Sequence, residues 1–127
     1  ANNASVAGHV HVADWVILGG NSGVHQFCKI GAHAFIGMYS GVNKDVPPFV
    51  TTIGMPAGPA AINKEGMKRR GFESDEIMAV RRAYKAFYRK SLGVDEAIES
   101  LSEDAAKYPA VQTMIDFVKS SERGIVR

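Results

Sequence analysis

The sequence predicts a parallel β-helix of hexapeptide repeats followed by a small α-helical domain, and three observations carry that expectation. An aliphatic residue recurs at every sixth position without a miss, as Val6, Val12, Leu18, Val24, Ile30, Ile36 and Val42. Two positions before each stands a small or β-branched residue: Ala4, Val10, Val16, Ser22, Cys28, Ala34 and Ser40. Beyond Lys44 the period fails, and apolar residues return at helical spacing.

Period six is neither helical nor simple strand alternation. It suits a triangular coil whose faces turn a corner at each repeat, with the aliphatic pointing inward. Glycine directly follows Leu18, Ile30 and Ile36, where it is expected to ease the bend. Three hexads complete a coil, so residues eighteen apart stack on neighbouring rungs at about 4.8 Å. Residues 1–50 are therefore assigned to coils of the β-helix. The stretch "KDVPPFVTTIGMPAGPA" breaks the repeat with Pro and Gly, and residues 51–62 read as a connecting loop. Residues 63–127 form the helical domain. Asn63 is expected to cap a short helix ending at Gly71, and Ser74 to cap the next, whose apolar face carries Ile77, Val80, Tyr84, Phe87 and Tyr88. Asp95 opens a third helix that stops before Pro109, and Ala110 to Gly124 make a fourth. These apolar faces read as core.

Composition narrows the function classes. With 127 residues, 46% of them hydrophobic, the chain can build one core, or an elongated unit with an appendage. The net charge of +2 hides an uneven distribution, nearly uncharged over the repeats and crowded with Lys and Arg from Lys64 to Lys90. Nucleic acid is disfavoured, because the overall charge is small and the aromatics beside the basic stretch sit at core spacing. A single cysteine cannot close an internal disulfide, no apolar run is long enough to span a bilayer, and no charged-then-apolar leader opens the chain. A soluble protein of a reducing, cytoplasmic compartment is expected.

The repeat phase assigns directions to residues that look chemical. Cys28 falls on the small inward position and reads as packing. His9, His25, His33, Trp15, Phe27, Phe35, Met38 and Tyr39 fall on outward phases. An exposed aromatic set calls for a partner surface, most simply symmetric copies of the same chain, and a homotrimer is expected. The histidines lack His-x-x-His or Cys-x-x-Cys spacing, so no metal site is expected. The segment "NKEGMKRRGF" carries Lys64, Lys68, Arg69 and Arg70. The residues alone leave two readings open, a solvated helix face or a diphosphate or phosphoprotein contact.

The combination "AGHV", "GVHQFCKIGAHAFIG", "GVNKDVPPFV" and "INKEGMKRRGF", with the helical tail to "RGIVR", resembles the C-terminal half of the UDP-N-acetylglucosamine O-acyltransferase family, which opens lipid A synthesis. The resemblance covers the whole chain. It implies a left-handed coil and a homotrimer with clefts between subunits. There a 3-hydroxyacyl group passes from acyl carrier protein to the 3-hydroxyl of UDP-N-acetylglucosamine. No resident cofactor is implied, since the 4'-phosphopantetheine arrives on the carrier protein. By the same resemblance, Gly8 offers its backbone N–H to the oxyanion, and His9, His25 and Gln26 line the cleft. Asn63, Glu65, Arg69 and Arg70 contact uridine diphosphate, and the surrounding cations receive the acidic carrier. The family's general-base histidine lies upstream of the position matching Ala1, so the chain reads as part of a longer enzyme that would not turn over by itself. Two other classes remain: a related β-helix N-acyltransferase of the same pathway, and a non-catalytic trimeric binding module.

Gly20 and Met38 are eighteen apart, hence on one outward column, which the resemblance places along the acyl-chain groove. In relatives that use long acyl chains the position of Met38 is glycine. One rung of about 4.8 Å spans roughly four methylenes, so Met38 implies a donor of about ten carbons rather than about fourteen.

Overall fold

A computed structural model describes residues 1–127. Seven short strands come first: β1 (Ser5–Val6), β2 (His11–Val12), β3 (Ile17–Leu18), β4 (Gly23–Val24), β5 (Lys29–Ile30), β6 (Phe35–Ile36) and β7 (Gly41–Val42). The chain visits three parallel sheets in rotation, giving the orders β1-β4-β7, β2-β5 and β3-β6, with Ser5 facing Gly23, His11 facing Lys29 and Ile17 facing Phe35. The inward aliphatics become buried as rungs accumulate, from 46% exposed at Val6 to 1% at Ile30 and 0% at Ile36. Ser22, Cys28, Ala34 and Ser40 are buried beside them.

The corners depart from expectation. Asn3, His9, Trp15, Asn21, Phe27, His33 and Tyr39 all hold positive φ, so the left-handed turns fall on non-glycine residues at every sixth position. Such a conformation costs about 1–2 kcal/mol per residue. Stacking of consecutive corners offsets part of it, as where the His9 and Phe27 rings lie parallel with centroids 4.8 Å apart. Gly19, Gly31 and Gly37 serve another purpose. A Cβ on Gly19 would meet the Met38 nitrogen at 2.6 Å and the Ile36 carbonyl oxygen at 2.7 Å, one on Gly31 would clash with Pro48, and one on Gly37 would meet the Ile53 side chain at 2.7 Å, so these glycines admit the next rung rather than easing the bend.

The repeat also continues past the point where its sequence signal ends. Ile30 faces Val46, and Phe35 of β6 faces Thr51 of β8 (Val50–Gly54), so the offset between rungs falls from eighteen residues to sixteen. A corner two residues short puts Val46 and Thr52, both at 0% exposure, on the inward phase. The predicted 51–62 loop is instead an antiparallel pair, in which β9 (Ala57–Ile62) folds back along β8.

Five helices follow. In α1 (Lys64–Arg69), Asn63 caps as expected, its Oδ1 accepting the Gly66 N–H at 3.1 Å. In α2 (Ser74–Tyr88), Ser74 is already helical and Glu73 occupies the cap without a side-chain bond, which corrects the predicted Ser74 cap. Its buried face carries Ile77, Val80, Tyr84 and Phe87. The single helix expected from Asp95 is broken into α3 (Val94–Ser100) and α4 (Ser102–Lys107), because Leu101 leaves helical geometry and turns into the core. A two-pronged ion pair, Arg82 Nε to Asp104 Oδ2 at 2.8 Å and Nη2 to Oδ1 at 3.0 Å, ties α4 to α2. The last helix, α5 (Pro109–Ser120), stops short of Gly124. There Ser121 donates its hydroxyl to Asp45 at 2.6 Å, and Gly124, at φ +89°, lets the tail turn so that Ile125 bridges to Asp45.

Asp45 thus locks the short corner. Its side chain also accepts the Lys29 N–H at 2.8 Å, and its carbonyl accepts the Val126 N–H at 2.8 Å. One cluster of buried residues runs from Val24 through Ile36 and Val50 to Met114 and Val126. The helices therefore share the core of the last rungs.

Candidate functional site

The predicted residues fall on three separate corners. The corner after β1 and β4 carries Gly8, His9, His25 and Gln26, stacked by the Phe27 N–H donating to the Gly8 carbonyl at 3.1 Å. All four are exposed. The Gly8 N–H donates to no protein carbonyl, a freedom it shares with the equivalent N–H groups of Asp14, Gly20 and Gln26. Gly8 differs in having nothing within 4 Å of where a Cβ would stand. The space a side chain would fill at Gly8 is therefore open. His9 is fixed by its stack on Phe27, whereas His25 reaches only the neighbouring Gln26 carbonyl, 3.3 Å from Nδ1, and lines a groove of about 790 Å³ with Ser22, Asn43 and Met55.

The corner after β2 and β5 meets α1. A cleft of about 330 Å³ opens there between Trp15, His33 and Phe35 on one side and Glu65, Arg69 and Arg70 on the other. Asn63 joins the two walls: its Nδ2 donates to the His33 carbonyl at 2.9 Å while Oδ1 caps α1. With both polar atoms occupied and the residue 9% exposed, Asn63 positions the cleft. His33, expected on an outward phase, is half-buried, with its ring stacked on Phe49 at 5.3 Å and edge-on to Phe72 at 5.2 Å. Burial pushes its imidazole below the ordinary value, the Arg70 charge acts in the same direction, and Asp14 opposes both. Arg69 and Arg70 make no ion pair with a carboxylate, and the Arg70 guanidinium instead lies 3.9 Å from the centre of the Trp15 ring. The cleft therefore presents two unneutralised guanidinium groups and one carboxylate beside an aromatic wall. That chemistry suits a planar, anionic ligand.

The corner after β3 and β6 carries Gly20 and Met38, stacked as their spacing requires, with the Tyr39 N–H donating to the Gly20 carbonyl at 2.9 Å. Met38 is 68% exposed, and a Cβ on Gly20 would make only an ordinary contact, 3.7 Å from the Asn2 carbonyl oxygen. Cys28 lies inward at 0% exposure. Burial pushes its thiol up, against an Arg123 Nη1 contact of 3.4 Å. No group of three or more His, Cys, Asp or Glu side chains is arranged to hold a metal ion, and no helix is long and apolar enough to cross a membrane.

Sequence reasoning missed the role of Trp15 and the His33–Phe49–Phe72 cluster. The eighteen-residue spacing of Trp15 and His33 signalled a shared corner. The short rung that brings Phe49 there, and the helix that returns Phe72, had no local signature.

Parallel sheets built from hexads, closed at one end by helices that share their core and form one wall of a cationic cleft, define a hexapeptide-repeat protein with an appended helical unit. Residues 45–126 match the family described as Udp N-acetylglucosamine O-acyltransferase, domain 2. The chain belongs to the UDP-N-acetylglucosamine O-acyltransferase family. It is 54% identical over its full length to the acyl-[acyl-carrier-protein]--UDP-N-acetylglucosamine O-acyltransferase of Thiobacillus denitrificans, and 55% identical over 99% of its length to that of Pseudomonas fluorescens. Among solved structures, LpxA from Acinetobacter baumannii matches 99% of the chain at 46% identity with a TM-score of 0.94. The Arabidopsis UDP-N-acetylglucosamine acyltransferase matches 99% at 38% identity with a TM-score of 0.91. The chain spans about half the length of these relatives, 49% of both bacterial sequences and of the Acinetobacter structure and 47% of the Arabidopsis one.

Proposed function

We propose that these residues form the C-terminal portion of an enzyme that transfers a 3-hydroxyacyl chain from acyl carrier protein to the 3-hydroxyl of UDP-N-acetylglucosamine, the first step of lipid A synthesis. The observation that carries the reading is the cleft beside α1, where Arg69 and Arg70 stand without carboxylate partners next to Glu65. A diphosphate would neutralise both cations, and Glu65 can accept a hydrogen bond from the nucleoside. At the corner of Gly8, His9, His25 and Gln26, the Gly8 amide would stabilise the oxyanion while the imidazoles orient donor and acceptor.

The coil is read as left-handed and the assembly as a cytoplasmic homotrimer. The trimer is supported by the separation of the two residue groups on different corners, and by Trp15, Phe27 and Tyr39, each more than half exposed. A neighbouring copy would bring one corner against another. No resident cofactor is needed, because the 4'-phosphopantetheine comes with the carrier protein, which would dock on the basic surface near α1 in a salt-sensitive contact. Met38, exposed above Gly20, would end the acyl groove a rung early and select a chain of about ten carbons.

The test is acyl transfer by the complete enzyme, with UDP-N-acetylglucosamine and 3-acylated glucosamine compared as acceptors. O-acylation of the sugar nucleotide is expected, and preference for the acylated amine would overturn the assignment. Met38→Gly should shift preference toward longer donors. An unchanged donor profile would remove the chain-length reading alone.

A further inference from the structure

Arg70 is held in an unusual way for a surface cation. No carboxylate pairs with it and it makes no side-chain hydrogen bond, yet its guanidinium carbon lies 3.9 Å from the Trp15 ring centroid, a close cation–π contact. Stacking occupies the flat face of a guanidinium and leaves its N–H groups free in the plane. Trp15 comes from the coil and Arg70 from the end of α1, so the pair spans the two walls of the cleft. Trp15 itself sits at a left-handed corner, one rung from His33, whose N–H donates to the Asp14 carbonyl at 2.9 Å.

We propose that Trp15 is a positioning residue, an aromatic rest that holds Arg70 with its donor edge directed into the cleft, ready for the oxygens of a nucleoside diphosphate. An unstacked Arg70 would sample many rotamers in water and lose that freedom on binding, whereas the stacked one has already lost it. The aromatic face, rather than a carboxylate, suits this task because it orients the cation without neutralising it. The inference rests on the proposed nucleotide site and names the device that prepares it.

The chain has one tryptophan, so its emission reports on this ring alone. In the complete enzyme, UDP binding is measured by calorimetry and by Trp15 fluorescence for the wild type, Trp15→Leu, Trp15→Phe, Arg70→Ala and the Trp15→Leu/Arg70→Ala double variant. Trp15→Leu should weaken UDP binding about three- to tenfold, and Trp15→Phe should retain most of the affinity. The double variant should bind no more weakly than Arg70→Ala, because the ring acts only through that arginine. Arg70→Ala should change Trp15 emission before ligand is added. Trp15 is 58% exposed, so melting temperatures should stay close to wild type, separating positioning from a structural role. Wild-type UDP binding with no loss in Trp15→Leu, or with losses that simply multiply in the double variant, overturns the inference alone. Failure of the wild type to bind UDP overturns the nucleotide site and the inference together.

Discussion

Asn63 is the residue whose replacement most directly separates holding the cleft together from touching a ligand. Its side chain makes two bonds, donating to the His33 carbonyl at 2.9 Å and accepting from the Gly66 N–H at 3.1 Å, in a setting 9% exposed. Asn63→Ala removes the cap of α1, worth about 1 kcal/mol. It also orphans a part-buried carbonyl, which adds about 1–2 kcal/mol. A total of roughly 2–3 kcal/mol would move a urea midpoint by about 1–1.5 M at a slope near 2 kcal/mol/M. Asn63→Asp keeps the capping oxygen but replaces the donor to His33 with a second acceptor, so it should fall between wild type and alanine. The assay is urea unfolding at fixed protein concentration, run beside calorimetric titration with UDP. Because α1 carries Arg69 and borders Arg70, UDP affinity should fall in the same order as stability. An Asn63→Ala variant that unfolds like wild type yet loses UDP affinity would refute the positioning argument and make Asn63 a direct ligand contact.

Three further outcomes follow from the packing and the electrostatics. Asp45→Ala leaves the Lys29 N–H and the Ser121 hydroxyl without their acceptor at a site 1% exposed, and should cost about 2–4 kcal/mol, read as a lowered melting temperature. A loss below about 0.5 kcal/mol would mean the tail does not depend on this lock. Gly19→Ala drives a methyl into the backbone of the next rung and should be severely destabilising, by more than about 3 kcal/mol, whereas Gly8→Ala meets open space and should melt within about 1 kcal/mol of wild type. Equal melting of the two would contradict the stacked register. His33 has its folded-state pKa depressed by burial, so the fold favours the neutral ring. Its contribution is fully present above the ordinary value near 6.5, and is lost as pH falls through the folded-state value. His33→Gln should flatten the stability profile between about pH 7 and pH 5, and a profile parallel to wild type would exclude His33 as the titrating group.

The repeat was legible because a coil imposes the same local demand every six residues, so Val24, Ile30 and Ile36 announce one another. The amphipathic face of α2 was legible for a similar reason, as helical period links Ile77, Val80, Tyr84 and Phe87. The Asn63 cap was legible from residue type, while Ser74 misled because an equally suitable type lies one residue inside the helix. The Leu101 break was hidden, since a leucine drawn into a core looks locally like a helix former. Of the site, the basic segment on α1 was visible as charge. Its aromatic wall was not, because Trp15 and Arg70 are far apart in sequence and meet only when α1 returns along the coil.

The sequence by itself determined the period, the inward phase and the amphipathic helix faces, all set by interactions repeated at short, fixed spacing. Only the tertiary structure decided where the repeat ends and which residues surround the cleft. The shortened corner is held by Asp45 reaching Ser121 and the Ile125–Val126 tail, and the cleft exists because α1 lies against the Trp15 and His33 corner. These contacts join residues with no periodic relation, so nothing in the local pattern encodes them. They arise because buried donors, acceptors and apolar surface must all find partners at once in the folded chain.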